Sequence, residues 1–158
     1  MRQLAIQLSR PVAYARLRGS GDAAGLSGVV KFYQQPGGVV VEANIFGLPY
    51  NGSGIYGFHI HEGAVCAGPS FLSAGGHYNP KALSHPLHAG DLPPLLSCGG
   101  RAYMAVMTDR FSIREILGRT VVIHGMPDDF VSQPGGNAGD RIACGAIEPV
   151  GNRAAIRR

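Results

Sequence analysis

The chain has 158 residues, of which 45% are hydrophobic and 15% charged, a composition that suits one globular domain and excludes a disordered protein. Its formal net charge is +4, but three arginines lie in the last eight residues, so charge gives little support to a nucleic-acid partner. No apolar run approaches the roughly 18 residues that span a membrane.

The N-terminus and the cysteines point to different compartments. Residues 1–10 mix Gln, Ser and Arg with apolar residues and lack an uninterrupted apolar stretch, so no signal peptide is recognised. This predicts a cytoplasmic protein, with a periplasmic or extracellular location as the alternative if a signal has been removed. Cys66, Cys98 and Cys144 allow one disulfide with one thiol left over, and disulfides are rare in the cytosol.

The predicted elements are short strands separated by turns rich in glycine and proline. In chain order, the patterns predict strands at 11–17, 26–33, 39–46, 56–62, 101–108, 119–124 and 141–147, with a helical turn at 112–117. No strand-length pattern lies between residues 63 and 100, and so long a loop in a compact domain is most often functional.

About seven or eight antiparallel strands with long functional loops indicate an all-β fold, a Greek-key β-barrel or an immunoglobulin-like sandwich. We expect one domain over residues 1–158, with its core at about 11–148 and a basic C-terminal tail at 151–158.

Histidines are the most informative residues. His59 and His61 project to the same face of the fourth predicted strand, because successive side chains of a strand point to opposite faces. The remaining histidines are His77, His85, His88 and His124, and Asp91 follows the third of these. These residues provide ligands for two metals if one histidine is shared. A lone histidine on a strand is more often a core or surface residue, and an aspartate before Leu-Pro also suits a turn.

Four motifs occur in a fixed order along the chain. They are His59-x-His61, the segment 75–80 around His77, His85 with the segment 88–91, and His124 followed by the segment 136–145. This arrangement resembles the copper/zinc superoxide dismutases over about residues 11–147. The chain is similar to a bacterial-like member with shortened zinc and electrostatic loops.

The resemblance implies two metal sites that share His77. Copper would be bound by His59, His61, His77 and His124, and zinc by His77, His85, His88 and Asp91. Imidazoles suit Cu(II), and three nitrogens with one carboxylate suit tetrahedral zinc. Asp128 would bridge a copper histidine and a zinc histidine through hydrogen bonds, although an acid in a turn is often only solvated.

Three further roles follow from the resemblance. Arg141 matches the guanidinium that lies beside copper and holds the anionic substrate, with a surface ion pair to Asp140 as the alternative. Cys66 and Cys144 match the family's disulfide, with two buried thiols as the alternative. Cys98 has no counterpart and is expected to be free.

The implied activity is conversion of superoxide into dioxygen and hydrogen peroxide by redox cycling of histidine-bound copper, with Arg141 and His77 as catalytic residues. One alternative is a non-catalytic family member that binds copper and zinc, and another is a β-sandwich interaction domain with incidental histidines. Superoxide is the expected substrate. A closed homodimer is the assembly expected on general grounds, and a copper-delivery protein is a further candidate partner.

Two departures from the family pattern concern the loops. Only Pro86 and Leu87 separate His85 from His88, whereas the family's zinc loop is usually longer, so the affinity and rigidity of the zinc site are the open points. The segment 129–139 carries no charge after Asp129, so we expect weak long-range attraction of the substrate.

Overall fold

The computed structural model describes residues 10–151, so the predictions about residues 1–9 and about most of the basic tail lie outside it. The strands are β1 (Ala13–Gly19), β2 (Ser27–Gln35), β3 (Gly38–Phe46), β4 (Ile55–Tyr56), β5 (Phe58–His61), β6 (Leu95–Leu96), β7 (Arg101–Thr108), β8 (Thr120–His124) and β9 (Arg141–Pro149), and the α-helix is α1 (Ile113–Ile116). No helix between residues 10 and 151 has the length and hydrophobicity needed to cross a membrane.

Seven strands form one antiparallel sheet in the order β5-β8-β9-β1-β2-β3-β7, and β4 pairs with β6 in a two-stranded sheet. Strand β1 shows the alternation of buried and exposed side chains: Ala15 and Leu17 are buried, whereas Arg16 and Arg18, which follow each of them, are exposed. Such alternation is typical of an antiparallel sheet with one solvated face. The sheet curls into a half-barrel, which confirms the predicted all-β fold.

The main core contains buried side chains from all nine strands and from α1. In β5, Phe58 and Ile60 belong to this core, so the alternating residues His59 and His61 point to the opposite face of the sheet. That opposite face is covered as well, since all four residues of β5 are buried.

A smaller cluster of Phe71, Ala74, Val122 and Cys144 covers this second face, with Cys66 packed against it. The disulfide between Cys66 and Cys144 fastens the covering loop to β9 and confirms the predicted pairing. Cys98 is free and exposed, as expected.

Several strand ends differ from the predicted ones by one or two residues, and two differences go further than that. The strand predicted at 56–62 is divided at Gly57, whose N–H donates to the Met126 carbonyl and whose carbonyl accepts from the His124 N–H, both at 2.8 Å. The expectation of no strand between residues 63 and 100 was wrong at Leu95–Leu96, because a two-residue strand leaves no periodic signal.

Candidate metal centre

Strands β5 and β8 provide three of the histidines. His59 and His61 lie opposite Val122 and Thr120 in the ladder, and His124 is the last residue of β8. The pairing of β8 with β9 shifts register between Ile123 and His124, which places His124 opposite Arg141. Irregularities of this kind re-aim a side chain, and here one brings a histidine and an arginine to the same end of the sheet.

The loop after β5 returns along the same strand and brings the other ligands with it. Isolated bridges pair His61 with His77 and His59 with Asp91. The backbone of Ile60 holds this arrangement, since its carbonyl accepts from Tyr78 at 2.8 Å and its N–H donates to Gly90 at 2.9 Å. A loop without regular structure is thereby fixed beside the histidines of β5.

The structure gathers the seven predicted ligands into two groups of four that share one residue. The groups are His59, His61, His77 and His124, and His77, His85, His88 and Asp91. In each group the candidate ligand atoms lie within 4.8 Å of one another, which is close enough to hold one metal ion.

Hydrogen bonds determine which ring nitrogen is available in His61 and His124. Nδ1 of His61 donates to the Gly75 carbonyl at 2.9 Å, and Nδ1 of His124 donates to the Gly139 carbonyl at 3.2 Å. The two Nε2 atoms face each other at 3.2 Å. Two nitrogen lone pairs at this distance repel each other unless a cation lies between them.

A proton is a poor candidate for that cation. Burial lowers the pKa of His61 to about 2 and that of His124 to about 3, and it also lowers the pKa of His59. These rings are therefore neutral near pH 7, which is the form in which histidine binds metals.

Asp128 connects the two groups. Its carboxylate accepts from Nε2 of His59 at 2.7 Å and from Nε2 of His85 at 2.9 Å. Burial opposes ionisation of Asp128, but the hydrogen bonds from His59, the Phe130 N–H and His85 lower its pKa well below the usual range. The carboxylate thus fixes the orientation of one histidine in each group.

The same contacts leave Nδ1 of His59 buried without a hydrogen-bond partner. Nδ1 of His85 and Nδ1 of His88 are also buried and make no hydrogen bond, although Oδ2 of Asp91 lies 3.1 Å and 3.2 Å away. A buried polar atom without a partner is destabilising and rare in native proteins. Metal coordination would satisfy all three nitrogens, so the donor atoms fit bound metal ions.

Asp91 supplies the only carboxylate of the second group. Its Oδ1 lies 2.7 Å from Nδ1 of His77, and its Oδ2 lies 3.1 Å from Nδ1 of His85 and 3.2 Å from Nδ1 of His88. Burial opposes ionisation here too, but the hydrogen bond from His77 and the nearby imidazoles lower the pKa of Asp91. Three ring nitrogens thus surround one carboxylate, one at Oδ1 and two at Oδ2.

Gly136 permits this close packing. It has a φ of 67°, in the left-handed region, and a Cβ at this position would collide with the Asp128 carboxylate and with Nε2 of His85. Only glycine fits both the conformation and the space.

Arg141 is held by backbone carbonyls and not by the neighbouring Asp140. Its Nη1 donates to the Phe71 carbonyl at 2.8 Å and its Nη2 to the Gly75 carbonyl at 2.7 Å. The Gly75 carbonyl also accepts from His61, so one peptide group positions both side chains. Partial burial lowers the pKa of Arg141 from its usual value.

A cavity of about 680 Å³ gives access to the first group of histidines. Its lining includes His61, His77, His88, His124 and Arg141. A small molecule in this cavity would therefore meet a cationic side chain and several ring nitrogens together.

Two residues that sequence reasoning missed contact the backbone around the second group. The Arg110 guanidinium donates to the carbonyls of Pro86, His88 and Asp91, which lie 19 to 24 residues earlier in the chain. The Gln133 side chain bonds to the backbone of His85, 48 residues earlier. No local pattern reports contacts over such separations.

Comparisons with known proteins agree with this geometry. Residues 26–147 match the family model described as copper/zinc superoxide dismutase (SODC). The chain is 38% identical over 135 residues to Cu-Zn superoxide dismutase 2 of Aquifex aeolicus (strain VF5), and the alignment covers 76% of this chain and 78% of that protein. It is 39% identical over 106 residues to the superoxide dismutase-like protein YojM of Bacillus subtilis (strain 168), and that alignment covers 58% of this chain and 54% of that protein.

A solved structure shows the same fold. The crystal structure of a double mutant of a SOD-like protein from Bacillus subtilis superposes with a TM-score of 0.74 at 31% sequence identity, covering 84% of this chain and 95% of that chain. The chain belongs to the copper/zinc superoxide dismutase family.

Proposed function

We propose that this chain is an active superoxide dismutase, which converts superoxide into dioxygen and hydrogen peroxide. Family membership supports the proposal, and one observation carries it: His77 belongs to both candidate metal groups. An imidazole shared by two cations loses both ring protons, which requires the combined charge of both ions near neutral pH.

The donor sets suggest which metal each group holds. The copper ligands in this proposal are His59, His61, His77 and His124, and the zinc ligands are His77, His85, His88 and Asp91. Four imidazoles suit copper, and three imidazoles with a carboxylate suit tetrahedral zinc. When bound, copper would supply the one-electron redox chemistry and zinc a structural and electrostatic contribution.

Arg141 would bind the anionic substrate. Superoxide carries one negative charge, and the Arg141 guanidinium lines the cavity beside His61 and His124, which are neutral near pH 7. Because two carbonyls fix the guanidinium, it presents its charge without reorganising when the anion arrives.

His77 would provide a proton for peroxide formation. Its Nδ1 lies 2.7 Å from Oδ1 of Asp91, a zinc ligand in this proposal, so Nδ1 would belong to the zinc site and Nε2 would be the nitrogen that carries and delivers a proton within the cavity.

One observation supports a second candidate function, that of a non-catalytic protein that binds copper and zinc. One relative is named a superoxide dismutase-like protein, and it is 39% identical over the aligned residues. This candidate shares the metal groups but lacks useful turnover.

One experiment separates the two candidates. The purified protein is loaded with copper and zinc, and elemental analysis is paired with the rate of superoxide dismutation per bound copper. We expect about one copper and one zinc per chain and a rate far above that of His61→Gln, which removes a copper ligand. Stoichiometric copper without turnover supports the non-catalytic candidate, and the absence of stoichiometric metal rejects both.

A further inference from the structure

The segment 85–91 carries three of the four proposed zinc ligands, yet it contains only turns and a single bridge residue. Its internal hydrogen bonds are few: the Asp91 N–H donates to the His88 carbonyl at 3.3 Å, and the His88 N–H donates to Oδ2 of Asp91 at 3.0 Å. The Leu87 N–H donates to the carbonyl of Ser84, just before the segment, at 2.8 Å. A segment with so little internal structure depends on outside contacts to hold its ligands in place.

Arg110, which lies between β7 and α1, supplies one such contact. Its Nη1 points at three carbonyl oxygens of the segment, those of Pro86 at 3.0 Å, His88 at 3.3 Å and Asp91 at 3.2 Å. Carbonyls that converge on one guanidinium fix the curvature of the backbone between the first and last ligands.

Gln133, in the loop between β8 and β9, supplies a second contact. Its Nε2 donates to the His85 carbonyl at 2.8 Å, and its Oε1 accepts from the His85 N–H at 2.9 Å. One amide therefore satisfies both backbone groups of a proposed ligand and sets the direction of its side chain.

We propose that Arg110 and Gln133 are positioning residues that hold segment 85–91 in its metal-binding conformation before zinc arrives. Together they fix the backbone at each ligand-bearing residue of the segment, although neither supplies a ligand. Preorganisation of this kind strengthens binding because the segment need not be ordered when the metal binds. The inference rests on the proposed zinc site.

Zinc affinity and geometry can be measured without activity. Zinc dissociation constants are determined by competition with a chelator, and Co²⁺ replaces zinc because its visible absorption reports tetrahedral coordination. In Arg110→Gln and Gln133→Ala, we expect zinc affinity to fall about tenfold each, with a weaker or altered cobalt band. All three carbonyls contact the single atom Nη1, and a lysine ammonium also offers several donors from one nitrogen, so Arg110→Lys should remain within about threefold of the wild type.

Matched controls separate positioning from general stability. Arg114→Gln removes an exposed arginine from α1, and Gln34→Ala removes an amide that bonds backbone carbonyls in the β2–β3 hairpin. Both should leave zinc affinity unchanged. The inference is overturned if Arg110→Gln and Gln133→Ala bind zinc as tightly as these controls. It is also overturned if partial unfolding, measured by the melting temperature of each variant, accounts for the whole loss of zinc affinity.

Hydrogen exchange of the metal-free wild type provides a readout that needs no variant to fold. The His85 N–H should be protected, because it bonds to Gln133. Exchange at the rate of an unstructured peptide would overturn the inference. If the wild type shows a protected segment but no tetrahedral cobalt band, the zinc assignment fails; if it shows the band while the variants match the controls, only the positioning role fails.

Discussion

His77 is the residue on which the account depends. Its ring centroid lies 4.0 Å from that of His59 and 5.5 Å from that of His88, so it stands between the two ligand groups. Its Nδ1 lies 2.7 Å from Oδ1 of Asp91, and the residue also lines the cavity. In the proposed function, a ring so placed would belong to both the copper and the zinc site and would also carry a proton for peroxide formation.

Replacing Arg141 tests its proposed role in holding the anion. In Arg141→Gln, we expect the dismutation rate per bound copper to fall about tenfold or more, because a cation beside the reacting anion is lost, and a tenfold loss corresponds to ~1.4 kcal/mol of the barrier. Copper content should stay equal to that of the wild type. Arg114→Gln serves as the control, and an equal rate in both variants would refute the role.

The buried histidines predict how acid affects the metal-free protein. His61 and His124 have pKa values lowered by burial to about 2 and about 3, from 6.5 in an unfolded chain. The unfolded state therefore binds more protons below about pH 6.5, so the stability present above that pH is lost progressively as pH falls. The lowered pKa values of Asp91 and Asp128 act in the same direction, but only below about pH 4.

Urea unfolding of chelator-treated protein between about pH 7.5 and 4.5 measures this effect. We expect the free energy of unfolding to fall with a slope of up to ~1.4 kcal/mol per pH unit for each histidine. A stability that stays flat from pH 7 to pH 5 would show that the two rings are not held neutral.

At the residue scale, the sequence could identify the candidate ligand residues but not the atoms that they present. Histidines are few, and each stands in a recognisable local motif, so all six were predicted as ligands. Which nitrogen each ring presents depends on distant partners such as the carbonyls of Gly75 and Gly139. No periodic pattern contains that information.

At the element scale, β5 contributes to both the core and the metal groups, because its successive side chains point to opposite faces of the sheet. Phe58 and Ile60 fill the core, and His59 and His61 face the covering loop. The covering loop packs on this second face, and the bond between Cys66 and Cys144 holds it against β9. The metal groups therefore depend on a loop that the sheet alone does not stabilise.

Removing the disulfide measures this dependence. The bond closes a loop of 78 residues, for which loop-closure entropy gives a stabilisation of about 4 kcal/mol. In the Cys66→Ser/Cys144→Ser double variant, we expect the free energy of unfolding of the metal-free protein to fall by roughly that amount. Cys98→Ser is the control, and a loss below about 1 kcal/mol in the double variant would contradict the expectation.

The strands were more predictable than the connections. Strands such as β3 and β7 have long alternating patterns, and their predicted bounds differ from the observed ones by no more than one residue. The break at Gly57 and the short β6 arise from pairing with distant backbone, which leaves no periodic pattern. The convergence of His77 and Asp91 on β5 likewise depends on hydrogen bonds from Ile60 to residues 18 and 30 positions away.

At the scale of the whole molecule, few charges surround the entrance to the cavity. Arg141 and Glu62 are the charged side chains, histidine aside, among the described residues that line it. The segment 129–139 has no charge after Asp129, and the Asp129 carboxylate is bonded to Ser132 and to the Val131 N–H. Attraction of an anion should therefore be local, at Arg141 and the metals.

This charge distribution predicts a weak effect of salt on the rate. Raising the ionic strength from about 0.02 M to about 0.2 M shortens the Debye length from roughly 20 Å to roughly 7 Å, which removes long-range steering but leaves contact interactions. We expect the second-order rate constant of the metal-loaded protein to change by less than about twofold at constant pH. A tenfold fall would reveal a steering field that these residues do not provide.

The central claim is that one imidazole, that of His77, joins two different metal ions. Anomalous diffraction at the copper and zinc absorption edges, from crystals of the oxidised protein loaded with both metals, tests it most directly. We predict one copper within bonding distance of one His77 nitrogen and one zinc within bonding distance of the other. A His77 ring bound to a single ion, or turned away from both, would contradict the account.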